Sequence, residues 1–146
     1  MLKLNLPEFD FKIRSHKQSK QIFDVIRKKY VRLSPEEWVR QNLIHFLIYH
    51  ADYPTNYISL EKQLTVYKQL RRTDIVVYNK NRKPWMIVEC KAPTIELNEN
   101  VLYQAAMYNS DLNANYLVIS NGMQTSIFEH INESLKQIKD FPKFEL

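Results

Sequence analysis

The chain has 146 residues with a hydrophobic fraction of 45%, enough for one domain with a substantial core, and no second domain is expected. Against 16 Asp and Glu stand 21 Lys and Arg, a formal charge of +5 and a pI of about 9.2, which favours polyanionic partners without requiring them. A single Gly, where average usage gives about ten, excludes glycine-rich phosphate loops, and a single Cys excludes an internal disulfide and any cysteine-built zinc site.

The opening Met1-Leu2-Lys3-Leu4-Asn5-Leu6-Pro7 holds no apolar run of signal-peptide length, and no stretch approaches the roughly 20 residues that span a bilayer. A soluble, cytoplasmic protein in a reducing compartment is the expectation, with no membrane partner.

Residues 1 to about 33 alternate aromatic and charged residues. Phe9, Phe11 and Ile13 read as a short strand. Ile22, Phe23, Val25, Ile26, Tyr30 and Val31 are ambiguous, because Ile22, Ile26 and Tyr30 fall at helical spacing while no cap precedes them. The cluster Arg27, Lys28, Lys29 and Arg32 either meets a phosphate backbone or forms a solvated edge that discourages strand-to-strand association.

Ser34-Pro35-Glu36-Glu37 is a helix start, with Ser34 as N-cap, Pro35 at the first helical position and Glu37 placed to complete a capping box. Val39, Leu43, Phe46, Leu47 and His50 mark one apolar side and Ile44 and Ile48 widen it, so the helix should lie flat on a sheet and end before Pro54. Residues 58–67 read as a strand. Two further apolar runs, 71–78 and 85–91, are joined by Asn79-Lys80-Asn81-Arg82-Lys83-Pro84 and read as an antiparallel hairpin. A helix of about Asn98 to Leu112 follows, with Val101, Leu102, Ala105, Ala106 and Tyr108 on its buried side. Asn115 to Ser120 is the short apolar run of a strand buried on both faces. Asn121-Gly122 turns, Gln124 to His130 returns as an edge strand, and the tail from Ser134 to Leu146 reads as a short docked helix. Helix, three strands, helix, two strands: this order predicts an α/β fold with a mixed sheet and helices on both faces.

The hairpin carries the chemistry. Asp74 is expected to open its first strand, while Glu89 and Lys91 close the second, two residues apart and so on one face. Pairing of the strands brings Asp74 near Glu89, and two carboxylates with an amine suit a hard divalent cation beside a phosphate oxygen. A surface ion-pair network is the alternative reading of the same residues. Against it, Ile87 and Val88 mark the preceding strand as buried, so charges at its end are desolvated. The four histidines show no ligand spacing and are assigned structural roles.

The words Arg71-Arg72-Thr73-Asp74-Ile75-Val76-Val77-Tyr78 and Val88-Glu89-Cys90-Lys91-Ala92-Pro93 resemble the N-terminal nuclease domain of type I restriction enzyme R subunits and their stand-alone relatives. That domain belongs to the PD-(D/E)XK superfamily, and Thr73 stands here where the superfamily's Pro would. The resemblance covers about residues 20 to 130 and includes Pro35-Glu36-Glu37-Trp38-Val39-Arg40-Gln41. It implies a restriction-endonuclease-like α/β/α core with a mixed sheet of about five strands. It also implies an Mg²⁺-dependent DNA endonuclease, with Mn²⁺ as a substitute for Mg²⁺, in which Asp74, Glu89 and the main-chain carbonyl of Cys90 hold the ion. Lys91 then orients the attacking water, the role that suits an ammonium beside two carboxylates. Glu37 either caps the helix or completes the metal set. Gln104 and Tyr108, four apart and on one helix face, match a Gln-x-x-x-Tyr pair that contacts substrate backbone and the lysine. Arg71, Arg72 and Lys68 either contact phosphates or are simply solvated charge. The implied partners are DNA and a helicase motor or targeting subunit, and a homodimer is compatible with the pattern. The alternative, from the binding class, is a DNA-binding module of the same fold that cleaves only in a complex or never.

Overall fold

The computed structural model describes residues 1–66 and 68–145, and of residues 61–63, 66 and 69–71 the backbone only. A small antiparallel sheet comes first: β1 (Ile13–His16), β2 (Ser19–Asp24) and β3 (Lys29–Arg32), in the order β1-β2-β3. The ambiguous segment around Ile22 and Tyr30 is therefore two strands, with Ile22 paired to Val31 and Phe23 to Tyr30. Helical spacing lost because the segment is interrupted by a turn, in which the amides of Ile26 and Arg27 donate to Asp24 Oδ1 at 2.8 and 2.9 Å. Phe9 and Phe11 precede β1 rather than belong to a strand, and their rings pack on His45 and Trp38 of the following helix.

Helix α1 (Pro35–Tyr49) starts as expected, with the Glu37 amide donating to Ser34 Oγ at 3.0 Å and Pro35 at the first position. The main sheet has six strands in chain order, β4 (Ile58–Val66), β5 (Gln69–Tyr78), β6 (Pro84–Cys90), β7 (Tyr116–Ser120), β8 (Thr125–Ile131) and β9 (Ser134–Ile138). Only β6 and β7 run parallel, and helix α2 (Glu99–Asn109) makes the crossover between them. Asn98 caps α2 through the Val101 amide.

Alternation along the central strands sorts the core into two layers. Ile75, Val77, Met86, Val88 and Cys90 pack with Val39, Leu43, Ile44 and Leu47 of α1. Val76, Ile87, Leu117 and Ile119 pack with Ala105 and Leu112 beneath α2. The result is a mixed α/β architecture, a six-stranded sheet with one helix against each face, consistent with an α/β nuclease-like core. Each wholly buried aliphatic side chain in these layers contributes about 1.5–3 kcal/mol.

Two expectations for the last third are corrected. The tail contributes β9 instead of a helix, so β8 lies inside the sheet and β9 is the edge. Beyond it Phe141 and Phe144 fold back onto the α1-side core, where Tyr53 Oη donates to the Pro142 carbonyl at 2.6 Å. Three aromatic rings, Tyr53, Tyr57 and Trp85, receive Phe144, and burying that ring outweighs another helical turn. The chain's single glycine, Gly122, has φ +85°, and a Cβ there would meet Leu4 Cδ2 at 2.8 Å, so the turn and the N-terminal strap both require it.

Candidate functional site

Strands β5 and β6 pair as the hairpin predicted, with Ile75 opposite Val88 and Val76 opposite Ile87. Asp74 lies within β5 rather than at its start, because the strand begins at Gln69. One step beyond the Ile75–Val88 pair, the Cys90 amide donates to Asp74 Oδ2 at 2.8 Å. Asp74, Glu89, Cys90 and Lys91 then line one polar pocket of about 550 Å³, together with Ser34, Glu36, Glu37, Arg40, Arg72 and Tyr108. The two carboxylates and the amine therefore do converge.

Their environments differ. Asp74 Oδ1 accepts from Arg40 Nη2 at 2.9 Å, so both its oxygens are engaged. Among the described residues, Glu89 has only Lys91 Nζ, 3.8 Å from Oε1, and its Oε2 is buried with no hydrogen-bond partner. Burial raises the Glu89 pKa, the charges of Asp74 and Glu36 raise it further, and Lys91 pulls against them. A buried carboxylate oxygen without a donor costs free energy and calls for a reason. Glu36, half-exposed, is raised by burial and by Asp74 in the same way.

Cys90 is part of the core beneath α1, on the opposite face from Glu89, as strand alternation requires. Burial and the charge of Asp74 push its thiol well up, leaving it a neutral side chain whose amide does the work.

Glu37 is buried, and its carboxylate oxygens are taken up by side chains of the chain itself. Its amide completes the cap, but Oε1 accepts from Arg40 Nη1 at 2.8 Å and Arg27 Nη2 at 3.2 Å, and Oε2 from Gln41 Nε2 at 3.0 Å. Gln41 Nε2 and Arg27 Nε also reach Asp24 Oδ2, at 3.0 and 2.7 Å. Arg27 thus turns inward, away from the basic cluster of its neighbours.

Gln104 and Tyr108 lie on one face of α2 and line an adjoining pocket with Glu89, Lys91 and Asn100. Tyr108 is 40% exposed at the rim rather than in the core, and its hydroxyl accepts the Arg72 amide N–H at 3.0 Å. Arg72 is exposed at the same rim. Lys68 is exposed in the turn between β4 and β5 and lines neither pocket, and the side chain of Arg71 lies outside the described residues.

Sequence reading missed Arg40, Glu36, Asp24 and the inward course of Arg27. Arg40 was legible as a partner of Glu37 three residues earlier on α1. Its link to Asp74 was not, because 34 residues separate them.

Among the described residues no group of three or more His, Cys, Asp or Glu side chains is gathered so as to hold a metal. What fits a metal is narrower: Mg²⁺ takes one or two carboxylates and keeps its waters, and the buried, unclaimed Oε2 of Glu89 beside Asp74 has that character. Also among the described residues, no helix is long and apolar enough to cross a membrane.

The family model described as type I restriction enzyme R protein N terminus matches residues 35–142, from the start of α1 through the whole six-stranded sheet. No curated protein matches the chain.

Proposed function

The chain belongs to the family of type I restriction enzyme R protein N termini, a restriction-related nuclease family, and from that premise we propose that it is a metal-dependent deoxyribonuclease hydrolysing phosphodiester bonds. The observation that carries the proposal is the pocket in which Asp74, Glu89 and Lys91 meet while one buried oxygen of Glu89 stays unclaimed. Asp74 and Glu89 would hold Mg²⁺, or Mn²⁺ in its place, with the Cys90 carbonyl as a further candidate ligand, while the Glu37 carboxylate is already taken up by Arg27, Arg40 and Gln41. When bound, the ion supplies a water activated for attack and offsets charge on the phosphate.

The remaining work falls to the chain's own groups. Lys91, about one-third exposed and 3.8 Å from Glu89, is free to turn toward a phosphate oxygen and stabilise the charge that develops there. Tyr108 and Gln104 border Glu89 and Lys91 on the α2 side, where a DNA backbone entering the open pocket passes them. Arg72, fixed at its amide by Tyr108, presents its guanidinium at the rim as a phosphate contact. The net charge of +5 draws DNA from a distance. Partners of this family's enzymes, a motor or targeting subunit, are part of the same proposal.

The test is cleavage of plasmid and single-stranded DNA with Mg²⁺ or Mn²⁺, comparing wild type with Glu89→Ala and Lys91→Ala. Cleavage lost in both variants supports the reading. Equal cleavage in all three proteins removes it. A second reading, a DNA-binding module that cleaves only within a complex, is favoured by one observation: both oxygens of Asp74 are already engaged. It predicts salt-dependent DNA binding with no cleavage under any divalent metal.

A further inference from the structure

Asp74 is held from two sides by groups that cannot lose a proton under ordinary conditions, the Cys90 amide at Oδ2 and the Arg40 guanidinium at Oδ1. Arg40 is 6% exposed, and its other terminal nitrogen donates to Glu37 Oε1 at 2.8 Å. Glu37 is in turn fixed by Arg27 and Gln41, so the guanidinium is anchored by a carboxylate that does not move with the pocket. Glu36, 3.6 Å away, adds a weaker attraction at the rim.

Resting on the metal reading above, we propose that Arg40 is a resident cation that competes with a divalent ion for Asp74 and so sets the pocket's metal affinity. A permanent positive charge at 2.9 Å from a ligand oxygen raises the cost of bringing a second cation to that oxygen, and burial leaves little water to screen it. The two ends of the site are therefore unequal. At Glu89 the nearby charge is Lys91, at 3.8 Å on a partly exposed, rotatable stem, and it yields easily. At Asp74 the charge is pinned. Arg40 is a positioning residue in this account: it keeps the acidic pocket ordered and close to charge balance when no ion is bound. Metal loading is consequently weak until DNA phosphates add their own ligands.

The experiment is a Mn²⁺ titration without DNA, followed by the electron paramagnetic resonance signal of free Mn²⁺. Wild type is compared with R40Q, R40M, R40K and D74N, each checked for folding by circular dichroism. R40Q and R40M are neutral replacements of different shape, so one folded variant suffices. Either is expected to bind Mn²⁺ roughly tenfold more tightly than wild type. R40K, which keeps the charge, should return affinity to near the wild-type value, and D74N should weaken it. A merely structural Arg40 would not tighten binding when removed. Mn²⁺ binding that R40Q and R40M leave unchanged or weaken overturns this inference alone. Absence of Mn²⁺ binding from every variant overturns the metal reading and this inference with it.

Discussion

Two pairs of acidic side chains lie on either side of Arg40, and the fold treats them differently. In the inner pair, Asp24 and Glu37, every carboxylate oxygen has a donor: the amides of Ile26 and Arg27, the guanidinium groups of Arg27 and Arg40, and the Gln41 amide. In the outer pair, Asp74 is satisfied, but among the described residues Glu89 keeps a buried oxygen with no partner, and burial raises its pKa. Satisfied buried charge holds structure together, whereas unsatisfied buried charge is a cost that folding alone does not explain. The inner pair is built as a structural anchor, and under the proposed function the outer pair is the one that carries chemistry.

The largest expected effect tests the inner pair. Asp24→Ala leaves Arg27 and Gln41 with Glu37 alone, removes the acceptor of the Ile26 and Arg27 amides, and should lower unfolding free energy by about 3–5 kcal/mol in urea titrations, as loss of one member of a buried pair does. A loss below about 1 kcal/mol would break the comparison. Next, Glu89→Ala should leave the urea midpoint near wild type while lowering DNA cleavage roughly a hundredfold or more, about 3 kcal/mol of transition-state stabilisation. A variant that instead unfolds would move Glu89 to the structural side.

Acid sensitivity gives a third test. Burial by itself would raise the Asp24 pKa, but the Arg27 amide and guanidinium and the Gln41 amide together hold it below the usual carboxylate range. Asp24 therefore binds protons more weakly in the fold than in the unfolded chain. Its stabilisation is full above the ordinary carboxylate range and is lost as pH falls through it toward the folded value. His45, lowered by burial against the opposing charge of Asp24, has the same sign one range higher, near the imidazole value of about 6.5. Urea midpoints should fall in two steps on acidification, and Asp24→Asn should remove the lower step only.

The smallest effect runs the other way. Glu89→Gln removes a carboxylate whose burial penalises the folded state and should raise stability by about 0.5–1 kcal/mol while abolishing cleavage, the trade expected of a site kept for function. Thermal denaturation showing a lower midpoint for this variant would contradict the contrast between the two pairs.

Much of this was legible along the chain because the relevant signals are local. Alternation marks residues 75–77 and 86–88 as strand, Ser34-Pro35 marks the start of α1, and the pattern from Asn98 to Leu112 predicts a helix, of which Asn98 caps α2 and the last three residues close as a 3-10 turn. Glu89 and Lys91, spaced for one face, line the same pocket, although β6 ends at Cys90 and Lys91 lies just beyond it rather than closing the strand. Hydrophobic period and capping chemistry depend on neighbours within a few residues, so a sequence states them directly.

The tertiary structure alone decided which charges meet. With 21 cations and 16 anions in the chain, nothing local selects Arg40 for Asp74 or Arg27 for Asp24 and Glu37. Those choices follow from α1 lying across the sheet, which places one turn of helix over β5 and beside the end of β2. The same long-range packing turned the tail into β9 and an aromatic strap, and set the sheet at six strands instead of about five. Burial partners are chosen by how layers stack, and that information is spread over the whole chain rather than held in any one segment.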